Sequence, residues 1–282
     1  MSDEREPRSY YDEYGEREWD RLERDLYHRL EWEETTHFLG RDLPESGRVL
    51  DVGGGAGRYS VWLAERGHEV VLVDPSEPQV ELAGTKAAEH GVDGQVTTGV
   101  GDVRALPCDD VGFDATLCLG GPLSHVLDEG DRRAAAGELE RVTRPGGPVF
   151  VSVMGRLAAL QTVARLSGRL PPAEDETELL PQLARTGNYD HELLTAFDRE
   201  PTGPPMHLFR VAELVRLLEE AGLAVETVTG LESVVSQRRD EFDVLADSHR
   251  DALRNTVETL RGDRAAADLS GHMLAVTRVW DT

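Results

Sequence analysis

From Arg48 onward the chain alternates short, wholly apolar runs with longer stretches whose apolar residues recur every three or four positions. Val49-Leu50-Asp51-Val52, Val70-Val71-Leu72-Val73, Phe113 to Leu119 and Val149 to Val153 read as strands, with a weaker one at Gln95 to Thr98. Runs this short and this apolar suit a parallel sheet covered on both faces. Between them, Arg58 to Arg66, Ser76 to His90 and Asp131 to Thr143 carry the helical period. Ser76 with Gln79 forms a capping pattern for the second helix, while Gly67 and Arg144-Pro145-Gly146-Gly147 end the first and third. Strand alternating with helix predicts an α/β fold with right-handed crossovers.

Two stretches depart from that rhythm. Residues 1–40 are charged with interleaved aromatics, and Leu22, Leu26 and Leu30 mark one stripe of a helix running from Trp19 to Phe38. They predict an N-terminal helical cap ahead of a main domain at 41–282. After Met154, Pro171-Pro172 and the segment Pro201 to Pro205 bracket a polar region, so 155–210 reads as an insertion or lid. Alternation then resumes: Val211, Leu214, Val215 and Leu218 share a helix face, Gly222 ends it, and Leu223 to Val228 is a strand. Asp240 to Arg261 reads as helical and His272 to Val279 as the last strand.

Composition narrows the function. Asp and Glu number 54 against 30 basic residues, a net charge of -24, and Lys86 is the only lysine. Such a chain repels a phosphate backbone, so nucleic acid is not an expected partner. The acids are spread along the whole length, which suggests a surface adapted to a salt-rich cytoplasm where screening is strong. No apolar run approaches a membrane span, and the polar start lacks a secretory signal, so a cytoplasmic protein is expected. Cys108 and Cys118 are the only cysteines, which excludes a disulfide framework, and the nine histidines lack metal-ligand spacing. No metal is expected.

The sharpest chemical signal follows the first strand. Gly53, Gly54, Gly55 and Gly57 come directly after Asp51-Val52 and lead into a helix, a turn that lets backbone approach a nucleotide-like ligand. The third glycine of the motif comes one position earlier than in the dinucleotide fingerprint. Asp51 beside the turn disfavours a diphosphate and suits a cationic or zwitterionic ligand. Asp74 ends the second strand, where a carboxylate accepts both ribose hydroxyls. Asp102, in Gly101-Asp102-Val103-Arg104, can accept an adenine amino group while the Val103 amide donates to a ring nitrogen.

These segments, with Phe113-Asp114-Ala115 and Arg144-Pro145-Gly146-Gly147, resemble the ordered motifs of class I S-adenosylmethionine-dependent methyltransferases. The resemblance covers Arg41 to Met154 firmly and Val211 to Val279 more loosely, and is strongest to the small-molecule group that includes quinone-type methyltransferases. It implies a Rossmann-like, seven-stranded, mostly parallel sheet with helices on both faces and an antiparallel last strand. It also implies that Gly53 to Gly57 contact the methionine part of the cofactor, Asp74 with Pro75 the ribose, and Gly101, Asp102 and Val103 the adenine. Leu119 and Gly120 would face the sulfonium and the acceptor. One of Tyr10, Tyr11 and Tyr14 would close over the sulfonium, Tyr11 being the residue assigned here.

His125, in Gly120-Gly121-Pro122-Leu123-Ser124-His125, is the candidate base for an acceptor that must lose a proton. His207 and Arg210 are candidates for binding the acceptor, a small molecule whose identity the chain does not name. Oligomeric state is equally open. Two other classes stay open at this point: a nicotinamide-dependent oxidoreductase, against which stand the glycine spacing and Asp51, and a non-catalytic S-adenosylmethionine-binding protein.

Overall fold

A computed structural model describes residues 7–171, 174–201 and 203–281. Residues 1–6 of the expected cap, and Pro172, Ala173 and Thr202 of the expected lid, lie outside the described residues. The strands are β1 (Arg48–Val52), β2 (Glu69–Asp74), β3 (Val96–Val100), β4 (Ala115–Cys118), β5 (Pro148–Met154), β6 (Asn188–Tyr189), β7 (Met206–His207), β8 (Leu223–Gly230) and β9 (His272–Val279). Seven of them form one sheet in the order β3-β2-β1-β4-β5-β9-β8, while β6 and β7 make a small separate ribbon. Within the seven-stranded sheet β9 runs antiparallel to both β5 and β8 and the other pairs are parallel, while β6 and β7 pair antiparallel.

The helices are α1 (Pro7–Tyr14), α2 (Glu16–Asp20), α3 (Leu26–Asp42), α4 (Arg58–Ala64), α5 (Glu77–Glu89), α6 (Glu129–Val142), α7 (Arg156–Leu166), α8 (Leu180–Thr186), α9 (His191–Ala196), α10 (Val211–Glu220), α11 (Asp247–Thr259) and α12 (Arg264–Asp268). Side chains alternate across the sheet. Val149, Val151 and Val153 of β5 pack with Leu139 of α6 and Leu214 and Leu218 of α10, whereas Phe150 packs on the other face with Leu63 of α4 and Phe38 of α3. Helices therefore cover both faces, as a buried parallel sheet requires.

Three expectations about elements change. The helix expected from Trp19 to Phe38 breaks at Arg24-Asp25, where the Asp25 carboxylate caps α3 by accepting the His28 amide at 3.0 Å. Leu22 precedes that break on a short 3-10 turn, Arg21–Glu23, so the apolar stripe spans two elements. The fourth strand is shorter than its apolar run, because Leu119 and Gly120 turn away and Gly120 takes φ 78°. The helix expected from Asp240 resolves into a 3-10 stretch, Ser233–Val244, followed by α11. Among the described residues no helix is long and apolar enough to cross a membrane.

Candidate cofactor and acceptor site

A cavity of about 1340 Å³ opens at the carboxyl edge of the sheet, where β1, β2 and β4 end and β3 leads into the Gly101–Arg104 loop. That is where open α/β sheets bind ligands. β1 ends at Val52, and the chain then turns through the glycines into α4. Gly53 has φ 68°, and a Cβ on it would sit 2.4 Å from Pro122 Cγ, so only glycine fits the turn. The Gly53 amide donates to the Val73 carbonyl at 2.7 Å, tying the turn to β2.

Asp74 ends β2 and faces the cavity. Its two oxygens accept the Gly55 and Ser76 amides, each at 2.9 Å, so the carboxylate is fixed with lone pairs to spare. Burial raises its pKa even though both amides act to lower it. Pro75, Gly101, Asp102, Val103, Leu119 and Gly120 share the same wall, with Gly53, Gly54 and Gly55. Asp102, expected at the adenine, is clamped by the Arg104 guanidinium, Nε to Oδ1 at 2.9 Å and Nη2 to Oδ2 at 2.6 Å. That ion pair holds its carboxyl below the ordinary range.

Asp51 and Gly57 are not on the wall. Asp51 is 1% exposed and lies beneath the turn, its Oδ2 accepting the Ser60 hydroxyl of α4 at 2.7 Å, while Oδ1 has no partner among the described residues. Alternation along β1 explains this, because Asp51 shares a face with Val49, which packs under α4. Burial pushes the Asp51 carboxyl up to about 6. Gly57 packs back on Ala83, which a Cβ would approach to 3.0 Å.

The acceptor end is built around His125, on the short turn Pro122–His125 after β4. Its Nδ1 lies 3.0 Å from the Pro205 carbonyl, which can only accept, so Nδ1 carries the hydrogen. Nε2 is then the bare nitrogen, and the Tyr11 hydroxyl donates to it at 3.2 Å. Burial lowers the His125 pKa and keeps the ring neutral. Of the three expected tyrosines, Tyr11 reaches the cavity, while Tyr10 and Tyr14 stack on each other at 5.4 Å.

His207 and Arg210 are not among the lining residues. His207 is 2% exposed, between Glu213 Oε1 at 2.7 Å and Asn188 Oδ1 at 2.6 Å. Arg210 forks onto Asp268, with Nη2 to Oδ2 at 2.7 Å. Both side chains tie the end of the insertion to the helices α10 and α12 rather than facing a ligand. The expectation that they bind the acceptor is corrected accordingly.

Glu18 and Arg21 are among the lining residues that escape sequence reasoning. Glu18 Cγ would stand 3.2 Å from a Cβ on Gly55, and Arg21 Nη2 3.7 Å from one on Gly120. The break at Asp25 lets the Arg21 turn point inward; a continuous helix gives no sign of it. The three-residue spacing of Glu18 and Arg21 was the only available hint.

Residues 49–147 match the family model described as a methyltransferase domain. The chain is 31% identical over 189 residues to the ubiquinone biosynthesis O-methyltransferase of Xanthomonas axonopodis pv. citri, covering 67% of each. It is 36% identical over 146 residues to the glycine/sarcosine N-methyltransferase of Parasynechococcus marenigrum, covering 51% of each. Among solved structures, an S-adenosylmethionine-dependent methyltransferase from Methanosarcina mazei superposes with a TM-score of 0.60 at 19% identity, over 87% of this chain and 98% of that one. With its seven-stranded sheet and glycine turn, the chain belongs to the class I S-adenosylmethionine-dependent methyltransferases that act on small molecules.

Proposed function

We propose that the cofactor lies along the Gly53–Gly55 turn and that the acceptor sits between Leu119, Gly120 and His125. Asp74 takes the ribose hydroxyls, with Pro75 beside it, and Gly101 and Val103 frame the adenine. Asp102 joins them through its position on the wall, its charge shared with Arg104. Arg21 and Glu18 meet the carboxylate and ammonium of the methionine end. Asp51 and Gly57 act from behind the turn. The fit rests on a tight turn that only glycine can make at Gly53, packed against Pro122, and on a carboxylate pre-fixed by two amides with acceptor capacity left.

When bound, the cofactor supplies an electrophilic methyl group on a positively charged sulfur. The protein's part is alignment and exclusion of water, without a covalent intermediate on a side chain. Residues 1–40 read as a cap and 155–210 as a lid, because Tyr11 from one and Pro205 from the other meet at His125. The observation that carries the acceptor reading is this unprotonated Nε2 at the cavity wall, from which an acceptor hydroxyl or amine would displace the Tyr11 hydroxyl. A neutral imidazole whose tautomer is set by a backbone carbonyl can take the proton of a hydroxyl or amine acceptor.

Methyl transfer from labelled S-adenosylmethionine to a panel of phenols, catechols and amines identifies the acceptor. His125→Gln should then lower kcat by about 10²–10⁴ with cofactor affinity unchanged; an unchanged kcat removes His125 from the reaction. Calorimetric titration with S-adenosylhomocysteine and with NADH separates the methyltransferase from a dinucleotide enzyme. Heat with NADH alone would reject the first. We also read the net charge of -24 as adaptation to a salt-rich cytoplasm.

A further inference from the structure

Behind Arg21 lies a buried cluster that the methyl-transfer reading leaves unused. Glu31 of α3 is 1% exposed and receives the Arg21 guanidinium as a fork, Nη1 to Oε2 at 2.6 Å and Nη2 to Oε1 at 3.0 Å. Arg21 Nε donates to Glu18 Oε1 at 3.2 Å. One N–H on each terminal nitrogen is left without a partner among the described residues, on a side chain that lines the cavity. On its far side, Glu31 Oε2 is 3.8 Å from Nδ1 of His272, the first residue of β9. His272 Nδ1 donates to Glu232 Oε1 at 2.6 Å, and Glu232 Oε2 accepts the His272 amide and the Ser270 hydroxyl, each at 2.9 Å. Glu232 is 0% exposed, and none of Glu31, His272 and Glu232 lines the cavity.

We propose that Glu31, His272 and Glu232 are positioning residues that hold Arg21 in place and leave its positive charge available to the cofactor carboxylate. The inference rests on the assignment of Arg21 to the methionine end made above. With His272 protonated, the Glu31 charge is shared between two cations, so less of the Arg21 charge is neutralised by Glu31 and more of it is offered to the cavity. Once His272 loses its proton, Arg21 alone faces Glu31 and Glu18, and the local charge turns against an incoming carboxylate.

The groups facing His272 are Glu31 and the Tyr27 ring from α3, Arg21 from the preceding turn, and Glu232 from the segment after β8. His28, on α3 and paired with Asp25, also acts on Glu31. Against the effect of burial, Glu232 and Glu31 keep the His272 imidazolium protonated above the ordinary imidazole value. Against burial too, Arg21 and His272 draw the Glu31 carboxyl down to about 2. The charge on His272 is therefore what changes between neutral and alkaline pH.

The test measures the Kd of S-adenosylhomocysteine by calorimetry from pH 6.5 to 9.5 for wild type, His272→Gln and Arg21→Gln. The ligand ammonium titrates equally in all three, so the quantity read is the ratio of variant to wild-type Kd. For His272→Gln the expected ratio is about 10 near pH 6.5, falling to about 1 at pH 9.5 as the wild type loses the same charge. A ratio independent of pH overturns the relay. If Arg21→Gln leaves affinity unchanged at pH 7, the assignment of Arg21 itself fails; a weakened Arg21→Gln with a flat His272→Gln ratio rejects the relay alone.

Should His272→Gln not fold, the wild type still decides. Coupling is reciprocal, so saturating S-adenosylhomocysteine must raise the His272 pKa in a histidine-labelled NMR titration. No change overturns the proposal. The ligating atoms of Glu31, Glu232 and His272 also lie within 4.8 Å of one another. Stoichiometric Mn²⁺ or Zn²⁺ binding that His272→Gln abolishes would overturn the relay in favour of a cation site.

Discussion

Replacing Asp51 by Asn should stabilise the ligand-free enzyme while weakening its hold on the cofactor. Asp51 keeps a buried carboxylate with one oxygen lacking a partner, and its pKa rises from 3.8 to about 6 through burial, with Asp74 adding to the effect. A raised folded-state value means that the stabilising contribution belongs to the protonated form. It is complete below pH 3.8 and lost as pH rises through 6. At 1.36 kcal/mol per pH unit, the ionised carboxylate costs about 3 kcal/mol at pH 7. Asn keeps the shape and the acceptor for Ser60, but puts an unsatisfied NH₂ where Oδ1 stood, at about 1–2 kcal/mol. The net gain is about 1–2 kcal/mol, or a Tm higher by about 2–6 °C for a chain of this size.

Differential scanning calorimetry of wild type and Asp51→Asn from pH 4 to 8 reads the effect directly. The wild type should lose stability between about pH 4 and 6 relative to the variant. S-adenosylmethionine carries a sulfonium that S-adenosylhomocysteine lacks, so the variant should lose more affinity for the former. A variant that melts at or below wild type at pH 7.5, with the same dependence on pH, would refute the reasoning.

Asp74→Ala should weaken S-adenosylhomocysteine more than about tenfold by calorimetry, since a charge-assisted contact is worth roughly 1.5–3 kcal/mol; an unchanged Kd removes Asp74 from the site. Arg210→Gln should leave cofactor Kd and acceptor KM within about twofold and lower stability by about 0–1 kcal/mol, the value of a partly exposed ion pair. A large rise in KM would return Arg210 to the acceptor site. Because burial lowers the His125 pKa, the acid limb of the kcat profile should fall below the ordinary imidazole value of about 6.5; a limb above it contradicts the base assignment. Raising KCl from low to molar concentration should raise Tm, as expected for a chain of charge -24, and a flat or falling Tm argues against adaptation to salt.

Strands, crossovers and the glycine turn were legible because each rests on local periodicity and on punctuation by glycine and proline. β9 is found over the same residues that its apolar pattern marks, His272–Val279. Asp74 and the Gly53–Gly55 turn were found together because both sit at strand ends. The direction of Asp51 was available from alternation with Val49, but its place in the glycine motif drew attention to the ligand instead. His207 and Arg210 could not be placed, because their partners Glu213, Asn188 and Asp268 arrive through tertiary contacts. Arg21 was hidden for a related reason. Its inward aim depends on Asp25 ending one helical segment and capping the next, and on Glu31 and His272 meeting across more than two hundred residues.

A crystal structure with S-adenosylhomocysteine tests the placement of the cofactor most directly. The ribose hydroxyls should lie within hydrogen-bond distance of Asp74, the methionine carboxylate against Arg21, and the sulfur facing Gly120 and His125. Nucleoside density elsewhere in the cavity, or a carboxylate turned away from Arg21, would contradict the account.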